Sequence, residues 1–153
     1  MSASSTVRYA ASVAAPAGAV AGLLCDLTSW PLLFQRVERV DPLPGRPSEL
    51  LARIWVHDRS GLSDFTCRCT APQDAAGITL SLVVTRPPLT ELDVRWTVQP
   101  RGPLTSLVEV AYVFRVIGDA PEAVRRAELE FARISDWDLR SIREIAELNG
   151  FSS

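Results

Sequence analysis

Residues 119–150 read DAPEAVRRAELEFARISDWDLRSIREIAELNG, and their apolar positions recur with the period of one long helix. Asp119 and Glu122 stand at capping-box spacing, Pro121 suits the first turn, and Asn149-Gly150 supplies a stop. The interval of about 28 residues corresponds to roughly 42 Å of unbroken helix. Wound at about 100° per residue from Ala127, the side chains of Phe131, Ile134, Ile142, Ile145 and Asn149 fall within about 60° and form an apolar stripe. Asp138 falls at about 20°, in the middle of that stripe. Asp136, Arg140 and Glu144 occupy the far side at i, i+4 spacing, as an ion-paired solvated row would. An ionised carboxylate on a buried face is costly unless it is paired or hydrated. Two readings of Asp138 therefore stand. Either the helix bends near Ser135, or the carboxylate reaches a rim arginine and is structural; or it occupies a polar spot in a cavity, where it could transfer protons.

Working back from this helix, the hydrophobic period becomes two. Strands are expected at Val37–Asp41, Leu50–His57, Ser63–Ala71, Ile78–Thr85, Glu91–Gln99 and Ser106–Val116. Turn residues separate them: Pro42, Pro44, Gly45 and Pro47, then Ser60-Gly61, Pro72 and Gly77, Pro87-Pro88, and finally Pro100, Gly102 and Pro103. Such short connections imply an antiparallel meander. Upstream, Thr6–Ala14 alternates as a first strand, and Pro16 opens a helix whose apolar positions are Val20, Leu23, Leu24 and Leu27. Pro31 stops that helix or starts a second short one. The expected fold is α+β, with a seven-stranded curved antiparallel sheet wrapped around the long C-terminal helix and two short helices after the first strand. A cavity between sheet and helix is expected of that helix-grip geometry.

The composition narrows the function. At 153 residues the expectation is one domain, and 47% hydrophobic against 22% charged residues excludes a disordered or fibrous chain. A net charge of −2 argues against nucleic-acid binding. All 16 basic residues are arginine, which removes Schiff-base chemistry and the phosphate-loop lysine. The 3 cysteines, Cys25, Cys67 and Cys69, have neither disulfide nor zinc spacing, so a reduced, cytoplasmic setting is expected. Met1–Thr6 lacks the pattern of a signal peptide, and no apolar run approaches the ~20 residues of a membrane helix. His57, the single histidine, sits at a strand end and forms no recognisable triad; no metal-ligand cluster or glycine-rich phosphate loop is present.

With that order of elements, Ala15-Pro16-Ala17-Gly18-Ala19-Val20 followed by Leu27-Thr28-Ser29-Trp30-Pro31-Leu32-Leu33-Phe34 resembles the polyketide aromatase/cyclase family of the START-like (SRPBCC, Bet v 1-like) helix-grip superfamily. Cys67-Arg68-Cys69-Thr70-Ala71-Pro72 is similar to the family strand that carries a pocket arginine, and Val94-Arg95-Trp96 to the strand with a pocket tryptophan. Arg140-Ser141-Ile142-Arg143-Glu144-Ile145 is similar to its C-terminal helix. The chain departs from the pattern at Asp64, where some members place an aromatic residue, and at Val110, where several have tryptophan. Both changes bear on pocket shape. The resemblance implies a single START-like aromatase/cyclase domain over residues 1–153. It would fold a poly-β-ketone, held on an acyl carrier protein of a polyketide synthase, for regiospecific aldol closure and dehydration. No cofactor, metal, nucleic acid or membrane is implied.

In that picture Arg68 polarises a carbonyl, Asp138 or an ordered water moves the proton, and Tyr112 and Thr66 assist. Trp30, Phe34, Trp96 and Val110 shape the substrate cavity. Strand alternation gives a competing placement for Arg68. Asp64, Thr66, Arg68 and Thr70 form a polar face opposite Phe65, Cys67 and Cys69, and patterning alone points that face to solvent. Tyr112 shares an inward face with Val108, Val110 and Phe114, as a core contact or as a bond to a substrate carbonyl. Trp96 is expected inside, and Trp30 and Phe34 either form the mouth or staple the short helices to the sheet. Trp55 and Trp137 read as packing or surface residues. The alternative function is a non-catalytic carrier of a lipid, quinone or other apolar molecule, which needs only an apolar lining.

Overall fold

The computed structural model of the protein describes residues 4–44, 50–58, 61–70, 77–83 and 85–150. The expected turn or strand-end positions Gly45, Pro47, Ser60, Ala71, Pro72 and Val84 lie outside the described residues. The chain runs β1 (Ser5–Val13), α1 (Ala17–Cys25), a 3-10 turn at Leu27–Ser29, α2 (Trp30–Leu33), β2 (Val37–Leu43), β3 (Leu50–Asp58), β4 (Gly61–Thr70), β5 (Gly77–Leu82), β6 (Leu89–Gly102), β7 (Thr105–Val116), a 3-10 turn at Ile117–Asp119, and α3 (Pro121–Gly150).

The seven strands form one antiparallel sheet in the order β1-β7-β6-β5-β4-β3-β2. β2 to β7 make the meander expected from the short turns, whereas β1 crosses to the far edge and pairs with β7 from Ser5↔Phe114 to Val13↔Ser106. Register shifts between Val37 and Arg39, between Leu89 and Glu91, and between Pro100 and Gly102 interrupt the ladders. Such irregularities increase local bend and twist, and so help curl a sheet around a helix. The concave face carries Ile54, Cys67, Leu80, Val98, Val108 and Phe114, all buried. It meets α1 through Val20 and Leu24, and α3 through Phe131, Leu139, Ile142 and Ala146.

The segment after α1 sets the path of the chain into α2. Asp26 ends the helix in an extended conformation. Its Oδ1 accepts from Thr28 N (3.2 Å) and Thr28 Oγ1 (2.6 Å), and its Oδ2 from Ser29 Oγ (2.8 Å). These bonds, led by the Thr28 side chain, hold the Asp26 carboxyl below the usual carboxylate range. Pro31 sits in the first turn of α2, so it starts a helix rather than stopping one. The start of α3 also differs from expectation. Ala120 O accepts the first helical bond, from Val124 N at 3.1 Å, so Ala120 is the cap. Asp119 belongs instead to the preceding 3-10 turn with φ 51°, next to Gly118 at φ 66°. Proline at the first helical position fixes the cap one residue later than the Asp119/Glu122 spacing suggests. The far face of α3 carries ion pairs: Arg140 Nη2 donates to Asp136 Oδ2 at 2.6 Å, and Arg143 Nε to Glu147 Oε1 at 3.3 Å. Among the described residues no helix is long and apolar enough to cross a membrane.

One glycine is required by packing. A Cβ on Gly77 would lie 1.9 Å from the Trp96 carbonyl oxygen, where β5 meets β6. Gly77→Ala is therefore expected to force the two strands apart and lower stability by about 2 kcal/mol or more, within the range of overpacked cores. Chemical denaturation checks this; an unchanged midpoint would show that the strands absorb the methyl group.

Candidate functional site

A cavity of about 270 Å³ lies between the concave sheet and the helices. Each side contributes by its own periodicity. Ile54 and Val56 come from β3, Phe65 and Cys67 from β4, Leu80 and Leu82 from β5, and Leu92, Val94 and Trp96 from β6. α3 adds Glu130, Phe131, Ile134 and Asp138, at spacings of three and four that keep them on one face. The α2 region adds Trp30, Phe34 and Arg36.

Exposed Arg86, with half-buried Asp64 and Glu130, marks the mouth. Arg86 Nη2 donates to Asp64 O at 3.0 Å and lies 3.6 Å from Asp64 Oδ1. Arg133 pairs with Glu130 on α3. The inner wall is aromatic and buried. Trp30 and Phe34 have ring centroids 4.9 Å apart, Phe34 and Trp96 5.3 Å, and Tyr112 stacks on Phe131 at 4.5 Å with an 11° interplanar angle. The Trp30 indole donates to Leu24 O at 3.0 Å, which satisfies it and fixes the ring.

Asp138 is met by Arg36. Arg36 Nε donates to Asp138 Oδ1 at 3.1 Å and Nη2 to Oδ2 at 2.9 Å, a two-bond fork. The side chains are 18% and 4% exposed, so the pair is largely out of water. Arg36 lies in the turn between α2 and β2. That turn is tied at three points: Phe34 N to Trp30 O (2.8 Å), Val37 N to Phe34 O (3.0 Å) and His57 N to Arg36 O (2.9 Å). A guanidinium has five N–H donors, and among the described residues those on Nε and Nη2 bond to Asp138.

Burial pushes the Asp138 carboxyl above the usual carboxylate range, with Arg36 pulling the other way. Burial also opposes the Arg36 charge, but the Asp138 carboxylate outweighs it and holds the guanidinium more firmly protonated. The Tyr112 phenol is pushed well up by burial and then by Asp138, so it remains a proton-bearing donor. Burial pushes the Cys67 thiol to about 12, which leaves it a packing group rather than a nucleophile at neutral pH.

The residues expected from the sequence divide clearly. Asp138, Tyr112, Trp30, Phe34 and Trp96 all line the cavity. Trp30 and Phe34 are buried in its wall and do not form the mouth. Arg68 is a correction. It is exposed on the outer face of β4, in register with Leu51 and Ser81, while its neighbours Cys67 and Cys69 point inward. Strand alternation decides its direction. Thr66 shares that outer parity and is not part of the lining. Val110 is fully buried but packs in the core between the register partners Tyr9 and Trp96 rather than facing the open space. Trp55 lies on the outer side, its indole donating to Asp41 Oδ2 at 3.0 Å. His57 Nε2 lies 2.6 Å from Glu38 Oε2 at the surface. Arg36 was missed: one arginine among 16, in a turn, carries no periodic signal. The signal available was Asp138 itself, whose position demanded a cation.

Comparison with known proteins places this geometry in context. The family model described as polyketide cyclase/dehydrase and lipid transport matches residues 4–147. The granaticin polyketide synthase bifunctional cyclase/dehydratase of Streptomyces violaceoruber is 25% identical over 140 residues, covering 92% of this chain and 43% of that protein. The actinorhodin counterpart of Streptomyces coelicolor is 25% identical over 135 residues, covering 88% and 37%. The chain thus spans less than half the length of these relatives. Among solved structures, the di-domain ARO/CYC BexL of the BE-7585A biosynthetic pathway superposes with a TM-score of 0.84 at 24% identity, over 92% of this chain and 45% of that one. The Zhui aromatase/cyclase from Streptomyces sp. R1128 gives 0.81 at 22% identity, over 95% and 94%. These superpositions establish the helix-grip fold.

The buried fork has a thermodynamic signature. Arg36→Met or Asp138→Leu alone leaves one charge unpaired and is expected to cost about 3 kcal/mol, whereas the Arg36→Met/Asp138→Leu double variant should recover most of that loss. Urea denaturation of the four proteins checks it; additive losses in the double variant would mean that the two side chains do not depend on each other.

Proposed function

The chain belongs to the polyketide cyclase/dehydrase and lipid transport family, and we propose that it is an aromatase/cyclase: one START-like domain that closes and dehydrates rings on a poly-β-ketone delivered by an acyl carrier protein of a polyketide synthase. The observation that carries this reading is the Arg36–Asp138 fork in the buried wall of a largely apolar cavity. A buried ion pair adds little to stability compared with apolar residues of the same volume. Beside open space, it supplies a fixed donor and a proton acceptor together.

A methylene between two carbonyls is already acidic, so the reaction needs geometry more than a strong base. Asp138 takes the methylene proton, and the enolate oxygen is held by Arg36. The enolate carbon attacks a ketone carbon further along the chain, forming the C–C bond. The resulting alkoxide takes a proton back, from Asp138 or Tyr112. Loss of that hydroxyl as water, with removal of a second α-proton, gives the conjugated ring. Holding chain and pair in alignment can contribute roughly 7–11 kcal/mol, and a preorganised donor at the developing oxyanion about 3–4 kcal/mol. No step in this scheme uses a cofactor.

A second reading, a carrier of an apolar molecule, is favoured by the hydrocarbon character of most of the lining. Mass spectrometry of the purified protein separates the two, since a carrier retains its lipid or quinone.

Incubation with a minimal polyketide synthase followed by product analysis tests the catalytic reading. Arg36→Met is expected to lower cyclisation by about 10²–10³-fold, while Arg68→Ala keeps the product ratios of the parent protein. The reverse pattern would return the role to the outer arginine. The rate should also fall on acidification, because protonated Asp138 cannot act as a base. Since burial raises its pKa, this limb should lie above the ordinary carboxylate value of about 3.9. Asp138→Asn should remove the limb along with most of the activity; an unchanged profile would exclude Asp138 as the base.

A further inference from the structure

Gln35 and Trp137, each the residue just before a member of the Arg36–Asp138 fork, also meet. The Trp137 indole Nε1 donates to Gln35 Oε1 at 3.3 Å. The turn after α2 and the middle of α3 are therefore joined by two adjacent rungs, one ionic and one neutral. Exposure falls from one rung to the other. Gln35 is exposed and Trp137 is 37% exposed, whereas the Arg36 and Asp138 side chains are 18% and 4% exposed. Both members of the ionic rung line the cavity, and neither member of the neutral rung does. The neutral rung thus stands on the solvent side of the fork.

Trp137 lies one helical step, about 100°, around α3 from Asp138. A bond of 3.3 Å is long for N–H···O and adds little holding energy by itself. What the indole adds is area. A large flat ring, tied at its polar edge, covers the outside of a pair whose attraction depends on being dry. The other charged or titratable groups around the fork are Tyr112 from β7, against which Tyr9 of β1 packs, and Glu130 and Arg133 from α3, which pair with each other. From β3, His57 bonds Arg36 O through its backbone, while its ring meets Glu38 at the surface. Gln35 and Trp137 carry no charge, so their rung acts on the fork by covering it.

We propose that Trp137 and Gln35 are positioning residues: their rung seals the solvent side of the Arg36–Asp138 fork, leaving the pair open to the cavity and closed to bulk water behind it. The seal holds the guanidinium in place and keeps the carboxylate desolvated. This role rests on the reading of Asp138 as the base of the cavity, and it adds the residues that keep that base dry.

Exchange of the Arg36 Nε–H with water, followed by nitrogen NMR, reads the seal without turnover. Trp137→Ala should speed that exchange about tenfold or more. Trp137→Phe, which keeps a flat ring without the donor, should stay within about threefold of the parent protein. Leu129→Ala removes an exposed apolar side chain about two turns earlier on α3 and should leave the exchange unchanged, as a control for general loosening of the helix. With a carrier-bound substrate, Trp137→Ala should lower kcat about tenfold with little change in KM. Its acidic limb should also move down by about half a pH unit or more, because burial is what raises the Asp138 carboxyl and the variant relieves it. Unchanged exchange in Trp137→Ala, an equal acceleration in Trp137→Phe or Leu129→Ala, or a limb that stays in place would each overturn the proposal. The two claims fail separately. If the exchange behaves as expected but the parent protein cyclises nothing, the enzymatic reading falls and the seal stands. If cyclisation depends on Arg36 but its exchange ignores Trp137, the seal falls and the enzymatic reading stands.

Discussion

A carboxylate and a guanidinium held out of water, bonded to each other through two parallel N–H···O contacts, are the constraint around which the cavity is organised. Neither charge is tolerable there alone. Their union ties the turn after α2 to the middle of α3, two segments 102 residues apart in the chain. The turn is itself held by backbone bonds to α2 and β3, so the guanidinium is presented from a fixed base. Because both groups face open space rather than packed side chains, the pair that closes the architecture is also the chemically active part of its wall.

The sheet makes that space possible. An antiparallel meander with irregularities in its outer and middle ladders curls enough to leave room beneath it, and α1 and α3 close the hollow. Where α1 and α3 pack on β7, residues such as Val108 and Val110 are fully buried in the core. Farther along, toward Asp64, Arg86 and Glu130, the lining becomes charged and more exposed. The result is a graded interior: hydrocarbon and flat aromatic surface within, one ion pair on the wall, and charge at the mouth.

Much of this was legible in the sequence because it rests on periodicity. Six strands at period two and one long helix at 3.6 specify a sheet gripping a helix, and the same arithmetic singled out Asp138 as the residue out of keeping with its stripe. Tyr112 and Trp96 were placed inward by strand parity. What periodicity does not govern was hidden. β1 could pair at either edge, and only tertiary packing sends it to β7. Arg36 occupies a turn with no repeat to read, and its importance exists only through a partner far along the chain. Arg68 shows the opposite hazard: the family resemblance drew it into the cavity, while the simple alternation Phe65, Cys67, Cys69 against Thr66, Arg68, Thr70 already sent it outward.

The central claim is that Arg36 and Asp138 act as one unit on the bound chain. Its most direct test is a kinetic double-mutant cycle with a carrier-bound substrate, comparing the parent protein, Arg36→Met, Asp138→Asn and the double variant, each confirmed folded. Groups that act as a unit give strongly non-additive losses. The expected result is a double variant no slower than the worse single one. Losses that multiply independently, or a double variant that turns over as fast as the parent protein, would contradict the account.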